Sequence, residues 1–253
     1  MGYYIHEPAG AHVLTLDSSF KSLLRPFLEF VYPPTCFVCE ALMERGESRV
    51  CPDCWSTIRR VGDTDSLYLE MQKRLVQSES ISGLVSLYHF EKEGTLQSII
   101  HQLKYDGMTA LGLELGRKLG ERLLVERFGL SIDAIVPVPL HSTKLRERGY
   151  NQTEYIARGI RDATEIPVCI SLLKRHKYTN SQTKLTASER KENVGDAFAL
   201  NKRVMQKIDH KSFLVVDDVI TTGSTIEACA GVLVANGAKC VVAGSVALAE
   251  HAE

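Results

Sequence analysis

The stretch Phe213 to Thr225, FLVVDDVITTGST, limits what this chain can fold into more than any other. Its four leading apolar residues ask for a buried strand. Asp217 and Asp218 follow, then Val219 and Ile220, then a turn of Thr221, Thr222, Gly223, Ser224 and Thr225. Ser224 to Asn236 has helical spacing, and Gly237 is placed to end that helix. The turn therefore lies at the carboxyl end of a strand, where open α/β sheets bind ligands. Gly223 lets the backbone come close to a ligand and take conformations other residues avoid. The surrounding hydroxyls can donate to phosphate oxygens. The helix that follows turns its free N–H groups and the positive end of its dipole toward the same anion. Two adjacent acids cannot help a phosphate directly. They suit ribose hydroxyls, and positive charge developing at an anomeric carbon.

The rest of the chain from Ile81 onward reads as alternating strands and helices. Strands are expected at ISGLVSLYHF, Ala134–Val138, Pro167–Leu173, Ser212–Val216 and Cys240–Leu248, and helices at Gly94–Tyr105, Thr109–Phe128 and Gln152–Ala163. That order argues for a parallel sheet covered by helices. Lys174 to about Glu192 is a long polar, basic segment. From Leu140 to Lys211 there are 15 Lys and Arg against 8 Asp and Glu, although the whole chain carries a formal charge of only -1. A cleft of one sign focuses the field on a polyanionic ligand.

The N-terminal part is organised differently. Cys36-x-x-Cys39 and Cys51-x-x-Cys54 are separated by eleven residues. Two such knuckles make a closed tetrahedral thiolate site, the geometry of structural zinc, with no open position for catalysis. Such a module cannot bury a core by itself, so metal binding would supply much of its folding energy. Trp55 is expected to pack on this module, with base stacking as the lesser reading. Cys169, Cys229 and Cys240 read as small buried apolar residues. His89, His101 and His141 have no partners at ligand spacing, and His176 lies in the basic segment. The expected division is an unassigned extension over 1–17, a helix plus four-cysteine module over 18–60, a linker over 61–80 and the α/β domain over 81–253. No secretory signal or apolar run long enough for a membrane span is visible, and the cysteine usage suits a reduced, cytoplasmic protein.

The thirteen residues from Phe213 resemble the motif that binds phosphoribosyl pyrophosphate (PRPP) in type I phosphoribosyltransferases. The resemblance implies Asp217 and Asp218 on the ribose hydroxyls and Thr221, Thr222, Gly223, Ser224 and Thr225 around the 5-phosphate. The strand Val136-Pro137-Val138-Pro139 is similar to the one preceding the pyrophosphate loop of the amidophosphoribosyltransferase branch, which makes Lys144, Arg146 and Arg148 candidates for pyrophosphate. The basic segment resembles the mobile loop that closes over PRPP, with Arg175, Lys177 and Arg190 as candidate contacts. LKYDG (103–107), RERGYNQ (146–152), SQTKLTASERKENVGDAF (181–198) and DDVITTGST, together with the cysteine quartet, look like the ComF/GntX family from about Leu23 to the end.

That family resemblance implies a type I phosphoribosyltransferase domain preceded by a double-zinc-ribbon-like module. It also implies a role in natural transformation, where single-stranded DNA enters the cytosol and DNA-uptake proteins are potential partners. Mg²⁺ would accompany PRPP. Only Ala249 to Glu253 follow the last expected strand, so any acceptor would be gripped by residues before Ile81 rather than by a C-terminal hood. This favours PRPP binding with a regulatory or DNA-handling role. Transfer of 5-phosphoribosyl from PRPP to an unknown acceptor is the alternative, and oligomeric state is not legible.

Overall fold

The structure, a computed structural model, describes residues 33–44, 48–125, 131–176, 197–201 and 208–250. Four strands form one parallel sheet: β1 (Gly83–Phe90), β2 (Ala134–Pro137), β5 (Ser212–Ile220) and β6 (Cys240–Ala249), in the order β1-β6-β5-β2. Two short strands, β3 (Leu173–Arg175) and β4 (Phe198–Leu200), form a separate antiparallel pair. Every residue of the central strand β6 is buried, which explains an apolar run broken only by Gly244 and by Ser245, whose hydroxyl donates to Ser86 Oγ at 3.0 Å. The result is the expected α/β fold with a parallel sheet.

Helices α3 (Thr95–Tyr105), α4 (Thr109–Val125) and α6 (Gln152–Thr164) contribute to one apolar layer, and α2 (Ser66–Val76) and α7 (Ser224–Ala235) to the layer on the opposite face. α4 and α6 meet backbone to backbone. A methyl group on Gly116 would lie 2.1 Å from the Ile156 carbonyl oxygen, and one on Gly159 would lie 2.2 Å from that of Leu113. Only glycine permits this approach, and it lets Leu115, Leu119 and Ile160 reach the same core.

Some expected elements change. Pro167–Leu173 is not a full strand. Val168 makes one parallel bridge to Ile135 beyond β2, and strand structure resumes only at Leu173, in the antiparallel pair. Pro167 has no N–H for a ladder, and only its carbonyl is used, accepting from Ile135 N. The segment 61–80, expected to link the two parts, contains helix α2. Asp65 caps it by accepting from Leu67 N at 3.0 Å, and Tyr68, Met71 and Leu75 are buried against the sheet layer. A seven-residue helix, α5 (Ser142–Arg148), follows the VPVP strand.

The topology defines where a ligand fits. Helix α6 leaves β2 toward one face, and α7 leaves the neighbouring strand β5 toward the other. The crevice between the carboxyl ends of β2 and β5 is thus a topological switch point, the place where such sheets bind ligands.

Candidate functional site

The turn after β5 closes one side of this crevice. Gly223 has φ 77°, a left-handed conformation, and serves as the N-cap of α7. A side chain there would also collide with Leu75 of α2, whose Cδ2 is 2.6 Å from the position of an added Cβ. Thr222 Oγ1 and Ser224 Oγ are 3.0 Å apart, and Thr222 Oγ1 accepts from Ser224 N at 3.4 Å. A small cleft is lined by Asp217, Val219, Ile220 and the turn Thr221–Thr225. Hydroxyls, a glycine and a helix N-terminus therefore face one small space, the arrangement an anion requires.

The two acids do not share an environment. Alternation holds up to the acids, with Phe213 and Val215 in the α7 layer and Leu214 and Val216 in the α4/α6 layer. It breaks beyond them, where Val219 joins the α4/α6 layer and Ile220 the α7 layer, so the two carboxyls stay within reach of each other while their other partners differ. Asp217 is partly exposed and near enough to Arg175 and Cys229 for its charge to act on both. Burial, added to the charge of Asp218, pushes its pKa up to about 7. Asp218 is 5% exposed and pairs with Lys104 of α3, Nζ to Oδ2 at 2.5 Å. Burial works against its ionised form, but the Lys104 ammonium outweighs that and holds the carboxyl below its ordinary range. Asp218 Oδ1 also accepts from Val219 N at 2.9 Å.

The second loop is tied down by the RERGYNQ run and the threonine that follows it. Asn151 Nδ2 and Thr153 Oγ1 both donate to the Val138 carbonyl, at 3.1 and 2.8 Å. Arg148 donates to Gln152 Oε1 at 2.8 Å, and its guanidinium lies 4.9 Å from the centre of the Tyr105 ring. Lys144 is partly exposed and Arg146 exposed on α5. Arg175 is partly buried, with its guanidinium 5.3 Å from the Phe198 ring centre. Lys177 and Arg190 lie outside the described residues, as does most of the long basic segment.

The four cysteines converge. Cys36 and Cys54 sulfurs are 3.8 Å apart, as are those of Cys39 and Cys51, and all four lie within 4.8 Å of one another. Zinc–sulfur bonds of about 2.3 Å in a tetrahedron put sulfurs about 3.8 Å apart, so the set fits zinc. Cys36 Sγ accepts from Cys51 N at 3.3 Å and Val38 N at 3.4 Å. Burial raises the Cys36 pKa, but such backbone donors overcome it and bring it down to about 6, favouring the thiolate a metal needs. Trp55, on the short helix α1 (Pro52–Ser56), does not offer a free stacking face. Its Nε1 donates to Glu114 of α4 at 2.8 Å, Lys118 Nζ lies 4.6 Å from its ring centre, and Tyr88 stacks at 6.2 Å.

Three functional-looking residues escaped the sequence reading. Lys104 sits in LKYDG, a motif noted without a role for its lysine. Glu114 accepts from Ser48 Oγ at 2.7 Å as well as from Trp55. His89, buried at the end of β1, places Nε2 2.8 Å from Asp65 Oδ2. Each pairing spans at least 24 residues of chain, and no local pattern encodes it.

Residues 27–64 match the family model described as a double zinc ribbon domain. The DNA utilization protein YhgH of Escherichia coli K12 is 33% identical over 81% of this chain and 86% of its own length. Competence protein F of Haemophilus influenzae is 27% identical over 76% of this chain and 86% of its own. Among solved structures, a glutamine PRPP amidotransferase from B. subtilis, complexed with ADP and GMP, aligns at 21% identity. Its TM-score is 0.36, covering 53% of this chain and 25% of that one.

Proposed function

Because the chain belongs to the ComF/GntX family of competence-type proteins, we propose that it binds PRPP, or a related phosphoribosyl ligand, in the crevice after β5. We propose further that it acts in natural competence by handling incoming single-stranded DNA. The observation that carries the ligand reading is the turn itself. A hydroxyl-rich loop with left-handed Gly223 opens α7 at the switch point, and the acid pair stands two residues before it. Thr221 to Thr225 take the 5-phosphate. Asp217 and Asp218 take the ribose hydroxyls. Lys144, Arg146, Arg148 and Arg175 are the candidates for pyrophosphate, and Lys177 and Arg190 join them on the sequence reading alone.

Mg²⁺ fits the same acids, because adjacent carboxylates are the hard oxygen donors it prefers. It would supply charge neutralisation between pyrophosphate and ribose. The chain's own work is to hold the ribose at β5 and to hold the anion in the turn. Four thiolates in the N-terminal module would hold a structural zinc. The DNA role rests on the relatives' names and on the basic segment from Leu140 to Lys211.

Isothermal titration with PRPP and Mg²⁺ tests the ligand reading. Asp217→Asn with Asp218→Asn should abolish the binding; unchanged affinity would remove these residues from the site. A pyrophosphate-release assay across nucleobases and amines then separates binding from transfer, with release favouring the enzymatic alternative. Affinity for single-stranded DNA should fall as salt rises, since phosphate contacts release counterions. A flat salt response would sink that part of the reading.

A further inference from the structure

The LKYDG corner has a physical role that the family resemblance did not assign. Its lysine, Lys104, is held against Asp218 at 2.5 Å. Its tyrosine, Tyr105, stacks with Arg148 and accepts from it at 3.4 Å. The carbonyl of Leu103 accepts from the Tyr150 hydroxyl. Gly107 turns the chain with φ 70°. The corner thus bridges the end of β5 and the segment that follows the VPVP loop, on both sides of the switch-point crevice.

Charge explains why a lysine stands there. Two adjacent carboxylates, one nearly buried, are costly without a cation. Lys104 neutralises Asp218, whose side chain is 8% exposed. Lys104 itself remains 24% exposed, on a long flexible stem. It can therefore leave its partner without unfolding anything. A ligand that brings both a divalent cation and phosphates changes the balance. The cation competes for Asp218 and repels the ammonium, and the phosphates attract it.

We propose that Lys104 is a ligand-responsive residue of the site, occupying the cation position beside Asp218 in the empty protein and exchanging onto the phosphates of the ligand when metal and ligand enter together. This rests on the phosphoribosyl reading given above. It makes Lys104 both a guard against binding of the metal alone and a contributor to ligand affinity. A purely structural ion pair would do neither.

The test is isothermal titration of the full chain, with Mg²⁺ alone and with PRPP plus Mg²⁺, on wild type, Lys104→Gln and Lys104→Arg. Lys104→Gln should bind Mg²⁺ alone about tenfold more tightly than wild type, because the competing ammonium is gone. It should bind PRPP with Mg²⁺ about ten- to a hundredfold more weakly, the worth of a charge-assisted hydrogen bond. Lys104→Arg should recover most of the PRPP affinity. A folded Lys104→Gln protein with both affinities unchanged overturns the proposal and leaves the phosphoribosyl reading standing. Failure of wild type to bind PRPP overturns both. Should Lys104→Gln not fold, ¹³C-methylated lysine spectra of wild type decide the matter, with Lys104→Arg identifying the signal. That signal should shift when PRPP and Mg²⁺ are added, and a signal that stays fixed at saturation overturns the proposal.

Discussion

The cysteine module and the parallel sheet both need to hide apolar surface, and they do it by different means. The sheet has two full layers of its own, with β5 and β6 buried from both sides. The module has almost none. Val50 and Ile58 are buried, but in the same apolar cluster as Val85, Leu111 and Leu115 of the α/β domain. It is therefore a cap on a core that belongs mostly to the sheet, held at one end by thiols and at the other by Glu114. A domain of a few dozen residues cannot stabilise itself by burial alone. This one uses a metal site and borrowed surface together.

Removing zinc should sharpen the contrast most. Structural zinc contributes on the order of 10 kcal/mol to the folding of such modules. A chelator should unfold the module and shift the emission of Trp55, the chain's single tryptophan. Most of the far-UV circular dichroism should survive, and its collapse would show that the sheet depends on the module. Next in size is Gly116→Ala, which leaves the thiols alone and strikes the helix layer that covers the sheet. With the Ile156 carbonyl 2.1 Å from the new methyl, α4 and α6 must separate, at a cost of about 3 kcal/mol in a denaturant titration. Little change in midpoint would mean that the helices can slide apart freely.

Glu114→Ala acts on the joint between the two regions. It leaves Trp55 Nε1 without its acceptor and Ser48 Oγ with only the Val50 carbonyl, and about 2 kcal/mol of docking stability should go. Trp55 fluorescence under mild denaturant should report this before the global transition does. The smallest effect belongs to Asp65, which caps α2 and pairs with His89. Burial opposes its ionised form, yet His89 and the backbone N–H groups of Tyr68 and Leu67 hold its pKa below the ordinary value. The unfolded chain then binds more protons in that window, so stability rises with pH there. The contribution is complete above the ordinary carboxylate pKa and is lost as pH falls through the lowered native one. Asp65→Asn should cost about 1 kcal/mol near neutrality and flatten the acid limb of the stability curve. An unchanged acid limb would assign it to other carboxylates.

What could be read in advance was local. Phe213 to Thr225 announces a strand, a turn and a helix start because the apolar run, the glycine and the hydroxyls are neighbours in sequence. The cysteine quartet is legible for the same reason: the spacing within each pair already makes a knuckle. Helix α2 was missed because its polar face dominates the composition, and its three buried residues make sense only against the sheet. Pro167–Leu173 was overread because apolar content does not reveal whether a neighbouring strand is available to pair.

The acid pair marks the boundary most clearly. Sequence alone determined that two carboxylates precede a phosphate-type turn. Only the tertiary structure decided that they differ, one raised toward neutrality and the other held ionised by Lys104 from a helix more than a hundred residues earlier. The two carboxyls are neighbours in sequence and in space, and which of them gains a cation is set by how a distant helix packs, which no local pattern carries.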